Sequence, residues 1–371
     1  MVRVALSGWG SISALGCSND EGVAGLRAGH RGLGFAQRSP HLLRAEEILV
    51  AEAPFDVPIE RRAREMVAVA VDEALAMAPK SPGIVGVFAG TTGGFFVDAE
   101  VDLLFARVED PEAIPDFGQR GQGELATVVA RQAGALGPVL TFCTACTSSA
   151  AAMASAAAHL RAGTCSRAVV VGFDLLSSLT VQGFKSLMLC DPEPCRPFDT
   201  TRAGLQVGEG CGVVILDAEG EGPFVVRGSS NRIDPSHLTA SATDGSTVER
   251  VIREAVGDDE IVTIKAHGTG TRDNDLAEGR GVARAFGDPP PFASLKGSLG
   301  HTLGAAGALE TALWLGCLRA GFCPPSRGFC ELDPDIGVSP ITQQIPALSG
   351  AHLFNAFGFG GSCVAMVIAD A

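Results

Sequence analysis

Short apolar runs bounded by glycine alternate with helical segments along most of this chain, and this alternation limits its possible folds more than any other feature. The runs VRVALSG, GIVGVFAG, RAVVVGF and GCGVVILDA have the β-branched composition of buried strands. RAREMVAVAVDEALAMA carries apolar residues at the three- and four-residue spacing of an amphipathic helix. The alternation predicts an α/β fold built from strand-helix-strand units with crossover helices.

The second part of the chain repeats this pattern. GPFVVRGSS opens like the N-terminus, TVERVIREAV is helical and EIVTIKAHG is strand-like. The alanine-rich helices SSAAAMASAAAHLRAG and GAAGALETALWLGCLRAG both end in Arg-Ala-Gly. We therefore expect an internal duplication, with one half at residues 1–218 and the other at residues 219–371.

Charge and composition exclude several classes of function. The net charge of -14 argues against binding to nucleic acid or to an anionic membrane surface. No apolar run reaches the length of about 18 residues that a membrane span needs, and the first apolar run is too short for a signal peptide. The 11 cysteines are scattered through apolar contexts, which indicates reduced thiols and a cytoplasmic protein.

Cys146, in the stretch TFCTACTSSA, lies where an alanine-rich and nearly uncharged helix is predicted to begin. Free N–H groups and the helix dipole favour a thiolate at such a position. A buried structural cysteine is an equally open alternative. Cys143 forms a C-x-x-C pair with Cys146, but no second pair completes a zinc site, so we expect no metal.

Two histidines, His267 and His301, each follow a strand-like segment and are surrounded by glycine and small hydroxyl residues. Together with one cysteine at a helix start they indicate nucleophilic catalysis. Lys296 precedes His301, and Glu310 is a carboxylate on a mostly apolar helix, which favours a buried partner over a solvated face. GWGSISALG lacks the spacing of a dinucleotide-binding loop, so no nucleotide cofactor is expected.

Six motifs in this order resemble those of β-ketoacyl-acyl carrier protein synthases, in the elongating branch of the thiolase-like condensing enzymes. They are VALSGWGSISALG, TACTSSA, CRPFDTTRAGLQVGEGCGVVILD, AHGTGTRDNDLAE, KGSLGHTLGAAGALE and NAFGFGGSC. The resemblance implies a thiolase-like fold with two similar halves in five layers, α-β-α-β-α. It also implies a homodimer or heterodimer and a decarboxylative condensation that needs no metal or redox cofactor.

The family's catalytic roles carry over to matching positions. By this resemblance, Cys146 is the acylated nucleophile, and His267 and His301 hold the malonyl thioester and support its decarboxylation. Lys296 orients this site, and Glu310 supports the network around it.

The same resemblance assigns residues around the reacting groups. Thr269 and Thr271 would line the path of the pantetheine arm. Phe359 matches the family's gating phenylalanine, and the backbone N–H groups of Cys146 and Phe359 would form the oxyanion hole. The alternative for the NAFGFGGSC segment is a tight turn before an edge strand.

The implied partner is an acyl carrier protein, which is acidic and needs a basic surface. Arg61, Arg62 and Arg64 lie at the head of one predicted helix, where the family docks its carrier. The alternative is a solvated helix face with no partner.

Some positions depart from the family pattern, including Cys363 after the glycine loop and Phe173 with Asp174 in VVGFDLLSS. We therefore expect a specialised polyketide or aryl polyene pathway over housekeeping fatty acid synthesis. Two alternatives stay open. One is a non-elongating partner similar to a chain length factor, although such partners typically lack the nucleophile. The other is a thiolase-type acyltransferase that would use Cys363 as a second reactive cysteine.

Overall fold

The structure is a computed structural model and describes residues 2–80, 83–110, 112, 118, 121–236 and 242–371. Within these residues the chain forms one large mixed sheet and two short two-stranded sheets. The strands are β1 Val4–Ile12, β2 Gly34–Phe35, β3 Leu49–Val50, β4 Val85–Gly90, β5 Val139–Phe142, β6 Arg167–Asp174, β7 Gly210–Ala218, β8 Phe224–Ile233, β9 Ile261–Lys265, β10 Phe292–Ala293, β11 Phe322–Cys323, β12 Ile345–Pro346, β13 Ala351–Phe357 and β14 Ser362–Asp370.

The helices connect these strands and cover both faces of the large sheet. They are α1 Asn19–Ala28, α2 Ile59–Met77, α3 Phe96–Glu109, α4 Gln122–Ala133, α5 Ser148–Arg161, α6 Ser178–Ser186, α7 Ser246–Val256, α8 Arg272–Phe286, α9 Lys296–Leu299 and α10 Ala306–Arg319. None of the helices in the described ranges combines the length and the apolar character that crossing a bilayer requires.

The large sheet consists of two five-stranded sets with the same topology. Its strand order is β5-β4-β6-β7-β1 followed by β8-β14-β13-β9-β10. In the first set, β5, β4 and β6 run parallel, and β7 pairs antiparallel with both β6 and β1. In the second set, β10, β9 and β13 run parallel, and β14 pairs antiparallel with both β13 and β8. The sets meet where Ala5 pairs with Val225 and Leu6 with Phe224. This repetition is the internal duplication that the sequence pattern predicted.

The helices form three layers around the two strand sets. Helices α5 and α10 pack between the sets, in a core cluster that also contains side chains of β7 and β8. Helices α2 and α4 cover the outer face of the first set, whereas α7 covers that of the second set and packs against α8. The predicted five-layered α/β fold is confirmed. The boundary between residues 218 and 219 stays a prediction, and it lies between the end of β7 and the start of β8.

The two central helices are apolar for a structural reason. Every residue of α10 from Ala306 to Leu318 is buried, which matches the rule that a helix apolar on all sides lies inside a protein. By contrast, α2 buries one face, which includes Ala63, Met66, Val67 and Ala70. That face follows the three- and four-residue spacing read from the sequence.

Each central helix is entered through a 3-10 turn, Ala145–Thr147 before α5 and Leu303–Ala305 before α10. Both turns begin with a non-glycine residue in the left-handed region, Ala145 at φ 52° and Leu303 at φ 53°. Such backbone is costly for residues with a side chain and concentrates at functional sites. The duplicated fold therefore brings two strained turns side by side at its centre.

Candidate active site

One cavity of about 400 Å³ collects most of the side chains that the sequence analysis singled out. Cys146 reaches it from the turn before α5, His267 from the loop after β9, and His301 from the segment before the second turn. The cavity wall also contains three more of the predicted site residues, namely Thr269, Thr271 and Phe359. Lys296 and Glu310 are buried behind His267.

Cys146 lies in the turn Ala145–Thr147, and α5 begins two residues later at Ser148. The predicted thiolate is wrong for the resting protein. Burial raises the pKa of Cys146 to about 11, although the Lys296 ammonium and the Phe359 backbone N–H oppose this. At neutral pH the side chain is therefore a thiol, because the turn and the helix start do not offset the loss of solvation of a sulfur anion.

Backbone donors converge on this sulfur. The N–H groups of Phe359 and of Cys146 itself both stabilise charge on it. Gly358 lies so close that a Cβ there would stand 3.2 Å from the backbone nitrogen of Cys146. A hydrogen bond of 2.7 Å between Thr147 Oγ1 and Ser362 Oγ ties the glycine loop to the Cys146 turn. The oxygen of a thioester bound at this sulfur would meet the same two N–H groups, which the sequence analysis predicted as an oxyanion hole.

Lys296 determines which nitrogen of His267 carries the proton. Its Nζ donates to Glu310 Oε1 at 2.6 Å, to the His267 carbonyl at 2.6 Å, and meets His267 Nδ1 at 3.4 Å. An ammonium group has donors only, so Nδ1 must accept. The ring proton of His267 is therefore on Nε2.

His301 has the same tautomer for a different reason. The backbone N–H of Leu303 donates to His301 Nδ1 at 3.3 Å, which leaves the proton on Nε2. The rings of His267 and His301 are nearly perpendicular, with centroids 5.3 Å apart. Burial, followed by the charge of Lys296, holds the pKa of both imidazoles well below the usual value. Both rings are thus neutral donors at the cavity.

A second buried lysine, Lys265 at the end of β9, completes the network. Its Nζ lies 2.8 Å from Glu310 Oε2 and 2.8 Å from the Asn355 carbonyl. Burial by itself raises the pKa of Glu310, but Lys265 and Lys296 reverse this and hold the pKa below its usual value. The sequence analysis placed Glu310 in a supporting role and missed Lys265. The available signal was a lysine within the apolar strand IVTIK.

Two further carboxylates, also absent from the predicted site, hold the loops that carry the histidines. Glu278 on α8 accepts from the backbone N–H groups of His267 at 2.8 Å and Gly268 at 2.7 Å. Asp174 at the end of β6 accepts from the backbone N–H of Gly304 at 2.7 Å. Glu278 is the last residue of the motif AHGTGTRDNDLAE, which was the available signal, whereas Asp174 meets Gly304 only through the tertiary fold, 130 residues away.

Comparison with protein-family models identifies the chain. The N-terminal domain of beta-ketoacyl synthase matches residues 51–221, and the C-terminal domain matches residues 224–330. The chain belongs to the beta-ketoacyl synthase family. The resemblance found in the six sequence motifs is thereby confirmed.

Individual relatives of this chain are distant. It is 31% identical to nodulation protein E of Rhizobium meliloti over 252 residues, 63% of this chain and 62% of the relative. It is 31% identical to 3-oxoacyl-[acyl-carrier-protein] synthase 2 of Mycobacterium tuberculosis (strain ATCC 25618 / H37Rv), over 62% of this chain and 60% of the relative. The alignments thus span less than two thirds of these curated relatives.

A solved structure matches the whole chain. The ketosynthase in complex with its chain length factor from Xenorhabdus doucetiae is 28% identical, with a TM-score of 0.85. The match covers 100% of this chain and 98% of that chain.

The three arginines predicted to bind a carrier protein lie in different environments. Arg61 is exposed and forms an ion pair with Glu65 at 3.3 Å. Arg62 is fully buried and bonds to Glu209 and to backbone carbonyls, so its predicted role at the surface is wrong. Arg64 is partly exposed, near Glu124 at 3.7 Å, with its guanidinium stacked on a phenylalanine ring. The helix period places Arg62 on the same buried face of α2 as Ala63 and Met66.

Among the described residues that line the cavity, Cys146 is the cysteine. Cys363 is fully buried on β14, in the core cluster beneath α7, and Cys143 is exposed. A second reactive cysteine at position 363, as the thiolase-type alternative requires, is contradicted by this placement. In the part of the chain that the structure describes, no group of three or more His, Cys, Asp and Glu side chains is arranged to hold a metal ion.

The protonation state of Cys146 predicts how the protein reacts with alkylating agents. Alkylation by iodoacetamide should accelerate about tenfold per pH unit between about pH 7 and 9, because the thiolate fraction rises by that factor below the pKa. Mass spectrometry of the Cys146 peptide measures this rate, with a Cys143→Ala background so that one thiol remains near the turn. A rate independent of pH over this range would instead support a resting thiolate.

Proposed function

We propose that this protein condenses an acyl group held on Cys146 with a malonyl group on an acyl carrier protein, with loss of CO₂, to give a 3-oxoacyl carrier protein. The observation that carries the proposal is the pair of neutral Nε2–H imidazoles that share one cavity with Cys146. A cysteine alone suits many acyl transfers, whereas two neutral donors beside it suit an enolate.

The first half-reaction transfers the acyl group to Cys146. The sulfur attacks the carrier thioester, the carrier thiol leaves with the proton, and the tetrahedral oxygen is held by the N–H groups of Cys146 and Phe359. Because the resting group is a thiol, negative charge develops on the sulfur during attack, where Lys296 and the Phe359 N–H stabilise it. Thr269 and Thr271 line the cavity on the side where the pantetheine arm would enter.

The second half-reaction breaks a carbon-carbon bond and forms another. The malonyl thioester loses CO₂, and the electron pair left on the α-carbon delocalises onto the thioester oxygen as an enolate. His267 and His301 donate to that oxygen through Nε2. The α-carbon then attacks the acyl carbonyl, and the Cys146 sulfur leaves and regains a proton. The buried walls of the site keep water from the enolate and the acyl thioester.

The comparisons favour a place for this reaction among carrier-protein-dependent pathways. One relative is named a 3-oxoacyl-[acyl-carrier-protein] synthase, and one structural neighbour is a ketosynthase bound to a chain length factor. We propose a specialised polyketide-type pathway in the cytoplasm, with a homodimer or a second ketosynthase-like chain as partner. The alternative role of a non-elongating partner is less favoured, because Cys146 and both histidines meet in one cavity.

The test is incubation of the purified protein with acyl and malonyl carrier proteins, followed by intact mass measurement of both carriers. A carrier extended by two carbons as a 3-oxoacyl group supports the proposal. Acylation at Cys146 without extension would indicate a transferase or a missing partner chain. If a series of acyl chain lengths produces no acyl-enzyme, the non-elongating role is favoured.

Arg61 provides a test of carrier docking. Arg61→Glu should raise KM for carrier-bound acyl groups about three- to tenfold, because a rim charge chiefly affects encounter with an acidic partner. Acylation by a small free thioester should stay within about twofold. Arg250→Glu, an exposed arginine on α7, is the matched control for net charge. Equal losses with both substrates would contradict docking at α2.

A further inference from the structure

Lys265 is a buried ammonium that the proposed reaction does not use. It is 2% exposed and lies at the carboxyl end of β9, two residues before His267. Its partners are Glu310 Oε2 and the carbonyl of Asn355, each at 2.8 Å. A lysine is rarely buried so deeply without a partner that needs its charge.

The geometry links Lys265 to the histidine through a chain of contacts. Each oxygen of Glu310 holds one lysine, Oε2 holding Lys265 and Oε1 holding Lys296. Lys296 in turn contacts the carbonyl and Nδ1 of His267. Since Lys265 is anchored to β13 through Asn355, it keeps the Glu310 carboxylate in the one orientation that leaves Oε1 for Lys296.

Charges of both signs surround this cluster. Lys265 and Lys296 share the Glu310 carboxylate. Burial lowers the pKa of Lys265, whereas the charge of Glu310, and also that of Glu278, opposes this. Besides the Cys146 thiol, three buried carboxylates hold backbone N–H groups of the two histidine loops, namely Glu278, Asp275 and Asp174. Burial is the main reason that the pKa of His267 is low, and Lys265 adds to the effect.

We propose that Lys265 is a positioning residue, which orients Lys296 and the His267 tautomer through Glu310 and places a positive charge near both imidazoles. Its consequence for catalysis rests on the proposed function. Its effect on the histidines does not, so the two are separable by experiment.

The direct test is ¹⁵N NMR of the imidazoles in the full-length protein, assigned with single histidine variants. In Lys265→Met, both imidazoles should protonate at a pH higher by about one unit or more, since a repelling charge is gone. His267 should also lose its pure Nε2–H tautomer, because Glu310 no longer holds Lys296 in place. Lys185→Met, which removes an ammonium from an exposed ion pair with Glu47, is the matched control.

A double variant separates charge from position. Lys265→Met with Glu310→Gln removes one positive and one negative charge, so the net charge of the cluster equals that of the unaltered protein. The titrations should return toward the original values, while the His267 tautomer stays mixed. Lys265→Gln, whose neutral amide can still donate to Glu310, is a further variant and reports the titrations if Lys265→Met does not fold. Unchanged titrations and tautomers in the folded variants would overturn the proposal.

Activity measurements are the second test. In Lys265→Met, the rate of malonyl carrier decarboxylation should fall at least about tenfold more than the rate of Cys146 acylation. The acid limb of the pH–rate profile of decarboxylation should move to higher pH. If the unaltered protein decarboxylates nothing, the proposed function fails, while the NMR result still decides the role of Lys265. Equal losses in both half-reactions, with an unshifted pH profile, would show a purely structural lysine.

Discussion

Replacing Cys146 by alanine should abolish the acyl-enzyme and lower two-carbon extension by about 10⁴-fold or more, as expected when a nucleophile is removed. The sulfur is the cavity atom on which the Phe359 and Cys146 N–H groups converge. Alanine preserves the small volume of the turn, so the fold should persist. Intact mass of the enzyme after incubation with acyl carrier protein measures the loss.

The same variant should separate the two half-reactions. The imidazole donors of His267 and His301 remain in place, so decarboxylation of malonyl carrier should stay within about tenfold of the unaltered enzyme. Cys143→Ala, in the same segment but exposed, is the matched control and should keep extension. Extension by Cys146→Ala, or its loss in Cys143→Ala, would contradict the assignment of the nucleophile.

Removing either imidazole should have the second largest effect. His267→Ala and His301→Ala should each lower decarboxylation by about 10²- to 10³-fold, the usual cost of one lost donor to a developing oxyanion. The combined variant should lose less than the product of the single losses, since the two donors act on one oxygen. Release of CO₂ from malonyl carrier measures the step, and His30→Ala, an exposed histidine after α1, is the control.

The pH dependence of this step has a definite sign. Because the pKa of both imidazoles lies well below the usual value, the neutral donors persist as the pH falls, and decarboxylation should stay flat from about pH 8 to well below pH 6.5. Activity should be lost only where the imidazoles become protonated. If the loss of decarboxylation in the unaltered protein has its midpoint near the pKa of an unperturbed histidine, the site is more hydrated or less positively charged than the structure indicates.

Much of the candidate site was predictable because it is encoded locally. Cys146 lies in a short motif of small residues, and His267 and His301 lie in motifs rich in glycine and small residues. Small residues let backbone segments approach closely, as Gly358 approaches the Cys146 backbone. The helix at α2 and the strands around it follow from hydrophobic periodicity alone. The duplication was visible in the repeated Arg-Ala-Gly ends of the two alanine-rich helices.

The α/β class, the duplication and the three side chains that meet in the cavity were therefore predictable from the chain alone, because periodicity and motif spacing depend on neighbouring residues. The charge states and the supporting contacts arise only on folding. Arg62 is buried because Glu209, 147 residues away, meets it, and Lys265 acts through Glu310, 45 residues away. Burial likewise made Cys146 a thiol. Protonation depends on solvent access and on charges brought together by folding, which a linear pattern does not contain.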